Sequence, residues 1–106
     1  MTQPAGGRTV AFCGDLMDRS KLTTSVPGIV VGREIEDAAD AECVIVDVGR
    51  HGERIAAIRA AAPGARIVAY GRHDDPDALD AAVAAGADVA LPRSRFFRDP
   101  AAAMAP

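Results

Sequence analysis

Apolar residues in this chain come in short runs, and the segments between the runs repeat at a helical spacing. Residues 9–13 (TVAFC), 28–31 (GIVV), 43–48 (CVIVDV), 66–70 (RIVAY) and 88–91 (DVAL) are too short for helices and rich in valine and isoleucine, which predicts five strands. The runs are continuously apolar and do not alternate strictly. That is the mark of strands covered on both faces, as in a parallel sheet between two helical layers. Between them, Ile55, Ile58 and Ala62 fall on one face of a helix ended by Pro63-Gly64, and Leu79, Ala82 and Val83 share a face on a helix that starts after Pro76 and stops at Gly86. Residues 33–41 (REIEDAADA) predict a short helix with Ile35 and Ala38 or Ala39 turned inward. The segment DLMDRSKLTTSV gives the weakest helical signal, because its apolar residues are sparse and its Thr-Thr-Ser end favours a cap or loop. Pro100 opens a last short alanine-rich helix. Strand and helix alternate, so an α/β fold with a parallel sheet is expected.

With 106 residues, a single domain with one core is expected. It runs over residues 9–106 and is preceded by a polar, Pro/Gly-rich and flexible segment at 1–8 (MTQPAGGR). That segment lacks the apolar stretch of a signal peptide, and no later run has transmembrane length, so a cytoplasmic protein without membrane contact is expected. Hydrophobic residues make up 49% of the chain but aromatics only 4%, so the core is built from small side chains. The formal net charge of -3 gives no overall attraction for nucleic acid, and no strong basic patch is visible. Cys13 and Cys43 both sit in apolar surroundings, and we read them as reduced, buried thiols.

In open α/β sheets, reactive groups gather beyond the carboxyl ends of the strands. This chain puts Asp15 and Asp18 there after the first strand, and Asp47, Arg50 and His51 after the third. Tyr70, Arg72, His73 and Asp74 follow the fourth, and Arg93, Ser94 and Arg95 the fifth. Carboxylates come from the central strands and cations from the last, a layout that suits a divalent metal beside an anionic group.

Two stretches, VIVDVGRHG and DALDAAVAAGADVALPRSRF, together with the order and spacing over residues 9–98, resemble a response-regulator receiver domain. The resemblance implies a flavodoxin-like fold: an open parallel five-stranded sheet of order 2-1-3-4-5 with helices on both faces. It places Asp47 at the phosphoacceptor position and matches Asp15 to the second of two metal-binding acids. Three positions depart from the family pattern. Gly14 stands where the first acid of the pair is expected, Tyr70 about where a small hydroxyl residue is expected, and Arg93 in place of a lysine that contacts the phosphoryl group; Pro92 precedes Arg93, where the family has a proline after the lysine. Losing one acid weakens Mg2+ binding at Asp15 and Asp47, so the metal is possible but not required. Tyrosine fills or covers the pocket, and it cannot move into it as a small hydroxyl does. Arginine keeps the charge as a rigid planar fork, which can hold an oxyanion or clamp Asp47 in a permanent salt bridge.

The plainer reading makes Asp47 and Asp15 caps of local structure. His51 and His73 read as metal ligands or as solvated loop residues. RSRFFR reads as an anion-binding or docking strip, or as a helix anchored by Phe96 and Phe97 with its arginines in water. Two classes of function follow. The first, which the features favour, is a receiver-like regulatory or interaction module with a degenerate phosphoacceptor site at Asp47, pairing with a protein partner or with itself through the 79–97 face, where Ala81, Ala84 and Ala85 leave the helix small and apolar. The second is a small metal-dependent phosphohydrolase using Asp15, Asp47 and a histidine; the chain has no lid-sized insertion and no nucleophile–base pair to support it. A receiver that is still phosphorylated at Asp47 lies between the two.

Overall fold

A computed structural model describes residues 8–105. The predicted flexible segment, apart from Arg8, lies outside the described residues. The chain runs β1 (Thr9–Phe12), α1 (Leu16–Ser25), β2 (Val30–Val31), a 3-10 turn (Ile35–Ala38), β3 (Cys43–Asp47), α2 (Val48–His51), a second 3-10 turn (Gly52–Arg54), α3 (Ile55–Ala61), β4 (Arg66–Gly71), α4 (Pro76–Ala85), β5 (Val89–Pro92), α5 (Arg93–Arg98) and α6 (Pro100–Met104). All the strand pairings are parallel, and the order β2-β1-β3-β4-β5 is the one implied by the receiver resemblance. Among the described residues no helix is long and apolar enough to cross a membrane.

Each central strand feeds both helical layers, because side chains alternate across a pleated sheet. Val10, Phe12, Val44, Val46, Ile67 and Ala69 face the layer that carries Ala38, Ile55, Ile58 and Ala82. Ala11, Ile45, Val68 and Tyr70 face the layer of Leu22 and Phe96, with Ala103 and Met104 packed at its margin. Gly32 is closed in: a Cβ there would lie 2.8 Å from Val10 and 2.9 Å from the Phe12 ring.

Local signals account for most helix boundaries. Asp75 caps α4 by accepting the Ala78 N–H at 3.2 Å, with Pro76 in the first turn. Gly86 ends the helix at φ 130, a conformation that a side chain resists. Residues 33–41 differ from expectation. Only Ile35–Ala38 is helical, as a 3-10 turn, because Asp37 folds back onto the Arg33 and Glu34 amides (2.8 and 3.0 Å) and tightens the segment into a capping loop. β2 is limited to Val30–Val31, since Gly28 takes a positive φ before it.

The amino end of the sheet is tied together by one arginine. Arg59 of α3 donates to the Gly86 carbonyl (3.0 and 2.9 Å) and to the carbonyls of Ala65 (2.7 Å) and Pro63 (3.1 Å). It also pairs with Asp88 at 2.8 Å. Carbonyls at the ends of two helices, which have no partner within their own helix, are thereby satisfied. Asp88 in turn accepts the Ile67 N–H at 2.7 Å, which ties the start of β4 to the approach to β5. Partial burial alone would raise the Asp88 pKa, but it is outweighed by the hydrogen bond from Ile67 and then by the Arg59 hydrogen bond and charge, so the folded value lies below 3.8. A depressed carboxylate pKa contributes stability that is present above the unfolded pKa and is lost as pH falls through the folded one. Denaturation midpoints measured from pH 7 down to pH 2 are therefore expected to show wild type above Asp88→Asn at neutral pH, with the gap closing in acid. A gap that stays constant across the range would remove Asp88 from the acid response.

Candidate functional site

The strand register builds one rim. Asp47 ends β3 opposite Tyr70 of β4, and Gly71 pairs with Pro92, the residue before Arg93. The Gly14-Asp15 turn follows β1, whose Phe12 pairs with Val46. Asp15, Asp47, Tyr70 and Arg93 thus belong to the carboxyl edge of the sheet, and the charges of Asp47 and Asp15 both act on the Tyr70 hydroxyl. Their side chains have different employments. Asp15 caps α1 by accepting the Asp18 N–H at 3.0 Å. Half-buried Asp47 caps α2 by accepting the Gly49 N–H at 3.0 Å. Both carboxylates hold helix starts, as the plainer reading has it.

Tyr70 and Arg93 meet on Asp18, which the sequence places at this rim without assigning it a role. Asp18 is fully buried. Its Oδ2 accepts the Tyr70 hydroxyl at 2.8 Å and Arg93 Nη1 at 2.6 Å, while Oδ1 pairs with Arg93 Nη2. The arginine clamp anticipated on Asp47 is made instead with Asp18. The fork geometry that favours a bidentate carboxylate is the reason an arginine can do this, and the start of a helix favours a negative charge in its first turn. Burial first, and then Asp47, Cys13 and Asp15, push the Tyr70 hydroxyl up, so it remains a protonated donor.

An aromatic wall closes this cluster. Tyr70 stacks on Phe96 (centroids 5.0 Å apart, 9° between planes), and Phe97 meets both rings edge-on at 5.1 and 4.9 Å. The Arg93 guanidinium lies 5.1 Å from the Phe97 centroid and 5.7 Å from that of Tyr70. In RSRFFR, then, Phe96 is buried and anchors α5 while Arg95 and Arg98 are exposed, as the anchoring reading has it, but Arg93 departs from that reading by turning inward onto Asp18.

The remaining polar groups at the rim are dispersed. His51 lies edge-on to Phe12 (6.1 Å) and 3.4 Å from Arg54. Its pKa is lowered by burial first and then by Arg54, against the pull of Asp47. His73 is exposed, and Arg72 pairs with Asp74 in the solvent (2.7 Å). Cys13 and Cys43 are free and buried; burial raises both thiols, Cys43 to about 11.

Magnesium takes oxygen ligands, commonly one or two carboxylates plus waters. Asp15 and Asp47 each have an oxygen committed to a backbone amide. Position 14 supplies no carboxylate, and the aliphatic stem of Arg50 lies on it: a Cβ there would collide with Arg50 Cγ and sit 3.0 Å from Cδ. Among the described residues no cluster of three or more His, Cys, Asp or Glu side chains is placed to hold a metal ion. Position 14 therefore adds no carboxylate to those of Asp15 and Asp47, each of which already holds a backbone amide.

No protein-family model matches the chain. No curated protein matches its sequence either. Similarity appears at the level of structure. A response regulator from Burkholderia pseudomallei, crystallised with a phosphorylated aspartic acid, calcium ion and citrate, superposes with a TM-score of 0.76 at 19% identity, over 93% of this chain and 66% of that one. This chain therefore spans just under two thirds of that protein. A CheY-like protein (tadZ) from Pseudomonas aeruginosa PAO1 gives 0.69 at 19% identity, over 83% and 87% of the two chains. The pilus assembly protein CpaE from Caulobacter crescentus CB15 gives 0.62 at 16% identity, over 91% and 98%. The five-stranded order, the parallel pairing and these likenesses agree: the chain has the flavodoxin-like, CheY-like receiver fold.

Proposed function

We propose that this chain is a receiver-like regulatory or protein-interaction module, non-catalytic, with a degenerate phosphoacceptor position at Asp47. The observation that carries the reading is the Asp18–Arg93 ion pair. The cation that the receiver resemblance assigns to the phosphoryl group is already neutralised inside the fold. Tyr70, at the position expected for a mobile hydroxyl, is fully buried and hydrogen-bonded to the same carboxylate. A phosphoryl group on Asp47 would compete for Arg93 against a carboxylate that has no access to water, a competition that favours the existing pair. The module is in this sense set in one state, and its regulatory content lies in what it binds.

The face formed by α4, β5 and α5 is the surface proposed for that contact. Val83 of α4 is 49% exposed, Ala81 and Ala84 are exposed beside it, and the whole of the edge strand β5 is only half-buried. Small side chains let a second backbone approach closely, so the partner is another protein or a second copy of the chain.

Incubation with a small phosphodonor and Mg2+, followed by intact-mass measurement, is expected to leave the wild-type mass unchanged. A phosphoryl adduct that disappears in Asp47→Ala would overturn the reading in favour of a working receiver.

The lock itself is tested by denaturation. Arg93→Met strands a buried carboxylate and is expected to cost about 3 kcal/mol, toward the lower end for a broken buried pair because Arg93 is itself 40% exposed. Tyr70→Phe removes one hydrogen bond to that carboxylate and costs about 1–2 kcal/mol. Adding Asp18→Leu to Arg93→Met is expected to recover much of the loss, since no charge is then left buried; a double variant less stable than Arg93→Met alone contradicts the lock.

For the interaction face, Val83→Asp is expected to lower self-association, or capture of the chain's partner, in sedimentation velocity without changing the thermal midpoint by more than about 2 °C, an exposed substitution being close to neutral. Unchanged association would move the contact elsewhere.

A further inference from the structure

The backbone at Gly14 does not account for the glycine. Among the described residues positive φ occurs only at Gly28 and Gly86, so position 14 has a conformation open to any residue. What it lacks is room. An ideal Cβ on Gly14 would overlap Arg50 Cγ, with Arg50 Cδ at 3.0 Å and Cβ at 3.1 Å. These are the first atoms of the arginine, not its free end. Arg50 belongs to the short helix that Asp47 caps, so the origin of its stem is set by the same backbone that carries the phosphoacceptor position, while the exposed side chain beyond Cβ turns about χ1.

We propose that Gly14 and Arg50 are a matched pair, the arginine stem occupying the space from which an acid at position 14 would project, so that a built-in cation takes the place of a divalent metal at this rim. The inference deepens the receiver-type reading of the pocket and rests on it. A divalent metal there would have to bind with one carboxylate missing and a guanidinium-bearing side chain across the approach. Arg93 is compensated by Asp18, whereas no carboxylate is paired with Arg50 among the described residues. Arg50 therefore remains an exposed positive charge on the short helix that follows Asp47. On this reading a side chain at 14 requires the Arg50 stem to turn away, which links the residue at 14 to the one at 50.

The pair predicts coupling that can be read without phosphorylation. Gly14→Ala is expected to lower the thermal midpoint by several degrees in the wild-type background and by less than about 1 °C in Arg50→Ala, because removing the stem frees the space. Isothermal titration with Mg2+ alone, and with Mn2+ alone, is expected to show no saturable binding to wild type at millimolar metal. The double variant Gly14→Asp/Arg50→Ala is expected to bind at least about ten-fold more tightly than either single variant, and to lose that binding when Asp47→Ala is added. Equal cost of Gly14→Ala in both backgrounds overturns the steric pairing. Saturable Mg2+ binding by wild type, or binding by Gly14→Asp alone as tight as by the double variant, overturns the replacement of metal by Arg50. A phosphoryl adduct on wild-type Asp47 would overturn the pseudo-receiver reading, while the thermal cycle would still decide the Gly14–Arg50 pairing separately.

Discussion

A carboxylate with no access to water organises this molecule. Asp18 is completely buried, and an ionised group in that position is tolerated only where charge and hydrogen bonds replace its lost hydration. Two groups from distant elements supply them, the hydroxyl of Tyr70 from β4 and the guanidinium of Arg93 just past β5, and the carboxylate they meet stands in the first turn of α1. Each is thereby drawn to a fixed place. α1 is held against the sheet, Tyr70 is kept inside the core, and the path from β5 into α5 is set by the reach of one arginine. The stack of Phe96 on Tyr70 extends the same constraint into α5.

The two ends of the sheet use arginine in opposite ways. At the amino end, Arg59 satisfies carbonyls left over by helix termini and ties α3, α4, β4 and β5 into a rigid base. At the carboxyl end, Arg93 neutralises a buried acid, and Arg50 fills space above a glycine. In folds of this class the carboxyl rim is where loops and helix starts leave room for chemistry. Here that room is taken up by the protein's own side chains, and the acids that remain there, Asp15 and Asp47, serve as caps.

Much of the fold was legible because strand runs and breakers are local signals. The five apolar runs, the Pro76 start and Gly86 stop of α4, and Pro100 all declare themselves within a few residues. The sheet order came from the family resemblance, since spacing alone does not order strands. α1 read as weak for a physical reason: its inward stripe is Asp18, Leu22 and Val26, spaced four apart, while Leu16 and Met17 face solvent at 75% and 67% exposure. An acid at a core position lowers the very periodicity by which a buried helix is recognised. That spacing was nevertheless the available clue, since a carboxylate in register with Leu22 implies a buried, paired charge. Its partner was out of reach, because Asp18 and Arg93 are 75 residues apart in sequence. The rim positions Asp15, Asp47, Tyr70 and Arg93 were readable from the strand ends. Which of them would touch was decided by the length of the arginine and the height of Asp18 in the helix, and neither shows as a motif.

The Asp18 lock also bears on what it would take to make this fold switch. A ligand or modification shifts a conformational equilibrium only by the difference in its interaction with the two states. In a receiver whose cation is free, a phosphoryl group gains that contact at little internal cost. Here, drawing Arg93 away would leave Asp18 buried with only the Tyr70 hydroxyl, and Tyr70 could not follow without vacating its stack on Phe96. A lock that costs about 3 kcal/mol to break sets the minimum such a modification would have to exceed, and moving a two-state population from one side to the other takes about 5 kcal/mol of differential binding. A broad protein interface can supply that much more readily than a single exposed phosphoryl group. On the proposed reading, therefore, the input comes through a partner surface and not through Asp47.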